Sequence, residues 1–124
     1  METLTPTEEQ VMAIVWQLEK ALVRDVLNAY PEPKPPYTTL ASIMKQLERK
    51  GFLDHRTYGT THEYFPLIGK KTYQNRSFNQ LVTNYFEGSA KNVLSFMVKE
   101  KKLSGKDLED LEKLVQELKN QKKS

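Results

Sequence analysis

The chain of 124 residues is long enough for one compact domain, or for a small domain with an attached association arm, and it is too short for a large multidomain enzyme. It contains no cysteine, which excludes disulfides, thiolate metal centres and cysteine nucleophiles. The net charge of +3 permits a polyanionic partner without requiring one, and because residues 1–66 carry seven Lys/Arg against nine Asp/Glu, any such contact there needs a local basic patch.

Two short helices are predicted at the start of the chain. The first opens on Thr5-Pro6-Thr7-Glu8, which combines an N-cap, a proline at the first helical position and the acid of a capping box. Its apolar residues recur at helical spacing, at Val11, Ile14, Val15 and Leu18. A second periodic stretch from Leu22 to Tyr30 ends at residues 31–36, where four prolines exclude a helix.

A third helix and a β-hairpin are predicted next. Thr38 to Lys50 has the apolar spacing of a helix and stops before Gly51, the residue type that most often follows a helix. Thr, Tyr and Phe are frequent in Phe52 to Tyr58 and in Thr61 to Leu67, two strand-like runs joined by a turn at Gly59-Thr60. Three short helices followed by a hairpin are typical of a winged helix-turn-helix, whose third helix enters the major groove of DNA.

The remainder of the chain is predicted to be helical. The last helix opens at a capping box beginning with Ser104, and its apolar residues alternate at steps of three and four, the spacing of a coiled-coil seam. Because this seam is short, it needs a partner helix, and we expect a second copy of the chain to supply one. The predicted fold class is mainly α with a small β-hairpin wing: a winged helix-turn-helix DNA-binding domain over residues 1–68 and a C-terminal helical dimerisation arm over residues 69–124.

The large apolar residues of the arm are expected at the dimer interface. These residues are Phe78, Leu81, Val82, Tyr85, Phe86, Val93, Leu94, Phe96, Met97, Leu108, Leu111, Val115 and Leu118. Its aromatic residues, together with Tyr73, would also suit the lining of a small-molecule pocket. A core and a dimer interface explain them more economically, because short amphipathic helices must bury such faces between chains.

One face of the third helix is the candidate DNA-binding site. At about 100° per residue, Leu40, Ile43, Met44 and Leu47 share one side of the helix, and hydroxyl-bearing and cationic residues share the other. Hydroxyls suit phosphates or base edges, and Lys or Arg suits guanine or the backbone. The expected DNA contacts are Thr38, Thr39, Ser42, Lys45, Gln46 and Arg49 on the helix and Arg56, Thr57 and Tyr58 on the wing. A solvated helix and an exposed turn would show the same residue types.

Two runs of the sequence resemble those of a known family. ALVRDVL over residues 21–27 and YTTLASIMKQLERKGFLDH over residues 37–55 are similar to the matching stretches of the penicillinase repressors, the BlaI/MecI/CopY family, and SFMVKE over residues 95–100 resembles their C-terminal arm. The resemblance implies a homodimeric repressor that binds an inverted-repeat operator in double-stranded DNA. The alternative from another class is a winged-helix protein-association module without a specific operator.

The resemblance also bears on how repression would end. The β-lactam-responsive members of the family are inactivated when a membrane sensor protease cleaves an Asn-Phe bond in the arm. The matching pair here is Ser95-Phe96, which departs from that pattern at its first residue. The copper-responsive members carry a cysteine-rich metal site, and a chain without cysteine cannot sense copper by that route.

Neither catalysis nor a cofactor is expected. The sequence has no Gly-rich phosphate loop, no nucleophile elbow and no HExxH motif. His55 and His62 could pair at a metal with Asp54 or Glu63, but strand histidines more often pack or contact phosphate, so no metal is expected. The acids Glu8, Glu9 and Glu19 are assigned to a capped, solvated helix.

The location of the protein is predicted from what the sequence lacks. No apolar run approaches the ~20 residues of a membrane span, and the acidic start does not resemble a signal peptide. We therefore expect a cytoplasmic protein that makes no direct contact with a membrane.

Overall fold

The computed structural model describes residues 3–123. The predicted DNA-binding domain (1–68) and dimerisation arm (69–124) also include Met1, Glu2 and Ser124, which lie outside the described residues. This part of the chain contains six helices and one antiparallel hairpin, which confirms the predicted fold class of a mainly helical winged helix-turn-helix. The elements in chain order are α1 (Pro6–Leu18), α2 (Val23–Ala29), α3 (Tyr37–Arg49), β1 (Leu53–Tyr58), β2 (Thr61–Pro66), α4 (Lys70–Phe86), α5 (Ala90–Lys99) and α6 (Gly105–Lys123).

The capping box at the start of α1 forms as predicted. The Glu8 backbone N–H donates to the Thr5 hydroxyl at 3.1 Å, and the Thr5 N–H donates to the Glu8 carboxylate at 2.8 Å. The assignment of Glu8 to a solvated face is wrong, because this residue is only 5% exposed and its carboxylate accepts a hydrogen bond from Lys50 at 2.7 Å. The start of α1 is thus packed against the end of α3, where Lys50 follows the last helical turn.

The charge on Glu8 is retained in this buried position. Burial raises the pKa of the Glu8 carboxyl. The hydrogen bond and charge of Lys50 and the hydrogen bonds of Thr5 together lower this pKa by more than burial raises it. The net result is a pKa below the ordinary value of 4.5. Glu8 and Lys50 therefore form an ion pair at neutral pH, and its stabilising effect is lost as the pH falls through the lowered pKa.

A lysine from the proline-rich connector covers the end of α2. The Lys34 ammonium donates to the backbone carbonyls of Leu27, Asn28 and Tyr30 at 2.9, 3.0 and 2.8 Å. The carbonyls of a last helical turn have no partner within the helix, and a cation there also complements the helix dipole. The connector therefore both stops α2 and satisfies its carbonyl groups.

The core lies between α1, α2, α3 and the base of the hairpin. Its fully buried side chains include those of Val11, Met12, Val15, Val26, Leu40, Met44, Leu47, Phe52 and Leu53. Ala21 pairs with Tyr64 through two backbone hydrogen bonds of 2.8 Å, which hold the segment between α1 and α2 against β2. This packing fixes both α3 and the wing on one support.

The first turns of α4 also pack on this core. The Tyr73 ring lies 5.7 Å from the rings of both Trp16 and Phe52, and the Trp16 indole N–H donates to the Ile68 carbonyl at 2.9 Å. The chain divides into two compact units between Arg76 and Ser77, inside α4, and the sequence placed the boundary before this helix. The boundary at residue 68 remains a prediction.

The second unit consists of the rest of α4 with α5 and α6. Ser89 caps α5, and Ser104 and Asp107 form the predicted capping box of α6, with two hydrogen bonds of 3.0 Å. Hydrogen bonds from the backbone and side chain of Ser104 hold the pKa of the Asp107 carboxyl below its ordinary value. No helix within residues 3–123 has the length and apolar character needed to cross a membrane.

Candidate nucleic-acid interface

The outer face of α3 carries the predicted contact residues. Because Leu40, Met44 and Leu47 are fully buried, the helix can turn only its opposite side toward a partner. The side chains of Thr38, Thr39, Ser42, Lys45 and Arg49 are exposed on that side, and Gln46 is half-buried. The structure thus brings the six predicted helical residues onto one surface, with the hydroxyls near the start of α3 and the cations further along.

Arg49 and Gln46 form a polar pair at the end of this surface. The Arg49 Nε donates to the Gln46 Oε1 at 3.1 Å. Residues three apart on a helix are neighbours, so this bond orients both side chains beside each other. Arginine recognises guanine and glutamine recognises adenine through paired hydrogen bonds, and the pair is suited to the major-groove edges of bases.

The three predicted wing residues do not share one face of the hairpin. Side chains alternate along a strand, so Arg56 and Tyr58 lie on one face of β1 and Thr57 lies on the other. Arg56 is opposite Glu63, and its guanidinium lies over the Phe65 ring at 5.8 Å. The carboxylate of Glu63 on the same face reduces the positive potential there.

A cleft of about 480 Å³ lies between α3, the start of α2 and the wing. Its polar lining residues are Arg24, Tyr37, Lys45, Thr60, Thr61, His62 and Tyr64. Among these, Lys45 was predicted as a DNA contact from the sequence, and Arg24, Tyr37 and His62 were not among the predicted contacts. The alternation of β2 was the available signal for His62, because it places this residue on the same face as the buried Tyr64 and therefore toward α3.

Two stacked histidines lie between the cleft and the base of the wing. The rings of His55 and His62 are 4.1 Å apart and within 9° of parallel. The Glu48 carboxylate lies 2.6 Å from Nδ1 of His55, so α3 holds the first ring of the stack. Burial raises the pKa of the neighbouring Tyr64 phenol above its ordinary value, and the nearby Glu48 and Tyr37 side chains raise it as well.

The acids around these histidines were also considered as metal ligands. Glu48, Asp54 and His55 each offer a ligand atom, and these atoms lie within 4.8 Å of one another. Glu63, one of the two acids considered from the sequence, lies opposite Arg56 on β2 and is not a member of this group. Two of these three ligand atoms, those of Glu48 and His55, already form a hydrogen bond with each other at 2.6 Å.

The residues expected at the dimer interface lie on helices of the second unit, and most of them are exposed in the single chain. The exposed members are Phe78, Leu81, Tyr85, Leu94, Phe96, Leu108, Val115 and Leu118, Tyr85 being 78% exposed. Val82 is buried, and Phe86, Val93, Met97 and Leu111 are half-buried. Phe86 and Phe96 are in edge contact at 5.5 Å. The pair Ser95-Phe96 lies inside α5, in regular helix.

Comparison with known proteins agrees with the resemblance seen in the sequence. The family model of the penicillinase repressors matches residues 4–117, nearly the whole chain. The chain belongs to the penicillinase repressor family. Its resemblance to that family is thereby confirmed, and it is related to transcriptional regulators rather than to enzymes.

Individual members of the penicillinase repressor family are distant in sequence but match over almost their full length. The penicillinase repressor of Bacillus licheniformis is 22% identical over 125 aligned residues, which cover 97% of this chain and 94% of the relative. The methicillin resistance regulatory protein MecI of Staphylococcus aureus (strain N315) is 19% identical, over 90% of this chain and 92% of the relative. Among solved structures, and apart from these family members, the crystal structure of transcriptional regulator PA4135 aligns with 94% of this chain and 78% of that chain, at 19% identity and a TM-score of 0.41.

Proposed function

We propose that this member of the penicillinase repressor family is a homodimeric repressor that binds an inverted-repeat operator with α3 in the major groove. The observation that carries the proposal is the division of α3 into a buried apolar side and an exposed side of hydroxyls, an amide and two cations. In a winged helix-turn-helix the exposed side of this helix is the one that meets base edges. We place such a repressor in the cytoplasm, where a bacterial operator is accessible.

Different residues along α3 would contact different parts of the DNA. Thr38, Thr39 and Ser42, near the start of the helix, suit phosphate oxygens or base edges. Lys45 and the Arg49–Gln46 pair are long enough to reach the middle of the groove, where they suit guanine and adenine. On the wing, Thr57 shares the face that looks toward α3, and Arg56 and Tyr58 would contact phosphate from the other face.

The apolar surface of the second unit supports the dimer. Leu108, Val115 and Leu118 are about half exposed along one helix, and a soluble chain rarely leaves such a row uncovered. A second copy covers them with the same row, as two-fold symmetry requires. The dimer would then present two α3 helices to half-sites about one helical turn, ~34–36 Å, apart.

Cleavage of the arm is the proposed route to derepression. The bond between Ser95 and Phe96 lies within α5, and nicking generally occurs in exposed, irregular segments rather than in helices. A membrane sensor protease would therefore act on α5 only after local unwinding, which the short length of this helix favours. Replacing the family's asparagine by serine changes the residue before the scissile bond, so the matching protease would need to accept a smaller side chain.

Selection of bound duplexes from a random-sequence pool tests the proposal directly. A repressor should enrich an inverted repeat, and its affinity should fall steeply with salt, because Lys45, Arg49 and their symmetry mates displace counterions from phosphates. Enrichment of no sequence would refute the operator and favour a protein-association module. Analytical ultracentrifugation of the full chain tests the dimer separately, and a monomer well above the DNA-binding concentration would refute it.

A further inference from the structure

We infer that His62 is a further DNA-contacting residue, which binds a backbone phosphate as an imidazolium and thereby makes DNA binding dependent on pH. The inference rests on the proposed function, because it requires α3 to lie in the major groove. His62 is exposed, and it lines the cleft between the wing and α3 together with Arg24 and Lys45. When α3 occupies the major groove, the phosphates bordering that groove pass along the wing.

The stack on His55 positions the His62 ring for such a contact. Parallel rings 4.1 Å apart cover one face of His62, so its ring nitrogens are presented at the edge of the stack. His55 is itself held by Glu48 of α3, which joins the wing to the recognition helix through one continuous contact. A ring held in this way loses little conformational freedom when a phosphate binds, and such pre-organisation favours affinity.

Two cations lie in the same cleft as His62. Arg24 of α2 and Lys45 of α3 line the same cleft as His62, and His55 of β1 stacks on its ring. On the side of α3, the Glu48 carboxylate is engaged by His55, and Tyr37 and Tyr64 contribute phenols to the cleft. A phosphate bound in this cleft favours the imidazolium form of His62, because opposite charges attract.

The sign of the pH effect follows from the negative charge of the phosphate. If the bound state holds a proton at His62 that the free state lacks, DNA binding takes up that proton and strengthens as the pH falls. Histidine is the side chain that ordinarily changes charge between about pH 5 and pH 8, so binding is compared at pH 8 and pH 6. One phosphate contact per subunit predicts an affinity gain of roughly three- to tenfold per half-site, below that of a base contact.

Fluorescence anisotropy of the full chain tests the inference on two labelled duplexes, the one recovered by selection and one of random sequence. Wild-type affinity for both should rise from pH 8 to pH 6, because a phosphate contact does not depend on base sequence. The dependence of log affinity on log salt should also steepen, by about 0.9 per added contact. His62→Gln should bind almost equally at the two pH values, and His62→Arg should bind at pH 8 as tightly as the wild type binds at pH 6.

His55→Gln is the matched control, since the chain has two histidines and this variant retains His62. It should keep a pH response of the same sign, with circular dichroism showing that every variant is folded. A flat wild-type response, or a wild-type response retained in His62→Gln, would overturn the inference. Failure to recover a selective duplex would instead refute the repressor proposal, and the random duplex would still report whether His62 contacts phosphate.

Discussion

Replacing Glu8 by glutamine should destabilise the winged helix by about 1.5–3 kcal/mol. The side chains of Glu8 and Lys50 are only 7% and 10% exposed, and their charged atoms are 2.7 Å apart. Glutamine can still accept from the Thr5 N–H, so the change removes the charge but preserves the capping box. A hydrogen bond between charged groups contributes about 1.5–3 kcal/mol, and breaking a deeply buried pair costs about 3–5 kcal/mol.

The expected loss of stability is about 1.5–3 kcal/mol rather than the cost of breaking a deeply buried pair, because Lys50 keeps a second acceptor. Its ammonium also donates to the Thr3 carbonyl at 3.3 Å, so the cation left by Glu8→Gln remains partly compensated. Urea unfolding followed by circular dichroism measures the change in the free energy of unfolding. Glu9→Gln removes the same charge from an exposed position in the same turn and serves as the control.

A double-mutant cycle isolates the ion pair from the rest of the turn. Lys50→Met should be destabilising alone, but the combination with Glu8→Gln should cost less than the sum of the single changes. The pH dependence gives an independent check, because Glu8 has a lowered pKa and stabilises the fold only while ionised. The difference between wild type and Glu8→Gln should shrink as the pH falls below 4.5. A cost no larger than that of Glu9→Gln, or one independent of pH, would refute the reasoning.

Three further outcomes follow from the surfaces of the molecule. Lys45→Ala and Arg49→Ala should each weaken operator binding by about 1–3 kcal/mol if the residue contacts a base and by less if it contacts phosphate, and unchanged affinity of both folded variants would remove α3 from the interface. Leu111→Asp should shift the protein from dimer to monomer in analytical ultracentrifugation, by placing a charge in the apolar row of α6. Lys34→Met should lower the free energy of unfolding measured in urea by about 0.5–1.5 kcal/mol, because three carbonyls at the end of α2 lose the hydrogen bond from Lys34.

The elements that could be predicted from the sequence are those with local signals. The capping box of α1, the proline stop after α2 and the glycine after α3 each depend on residues within one or two turns of each other. For the same reason the predicted limits of α3, Thr38 to Lys50, differ from Tyr37–Arg49 by one residue at each end. The outer face of α3 could also be predicted, because helical periodicity alone separates the buried and exposed sides of the helix.

The features that could not be predicted from the sequence depend on contacts between residues that are distant along the chain. Glu8 meets Lys50 across 42 positions, and the capping box that distinguishes Glu8 from Glu9 does not predict this partner. The place of Arg24 in the cleft depends on how α2 packs beside α3 and the wing. The distribution of Arg56 and Thr57 over two faces was predictable from strand alternation, but choosing the face toward α3 required knowing that Tyr64 is buried.

The position of Trp16 gives the protein an internal optical probe. It is the one tryptophan of the chain, so the intrinsic emission above that of tyrosine comes from a single indole. That indole donates to Ile68 and contacts Tyr73, which means that its surroundings are set by the first turns of α4. Loosening of this segment would let water reach the ring and move its emission to longer wavelength. Detachment of the first turns of α4 from Trp16 can therefore be followed in real time without attaching a label.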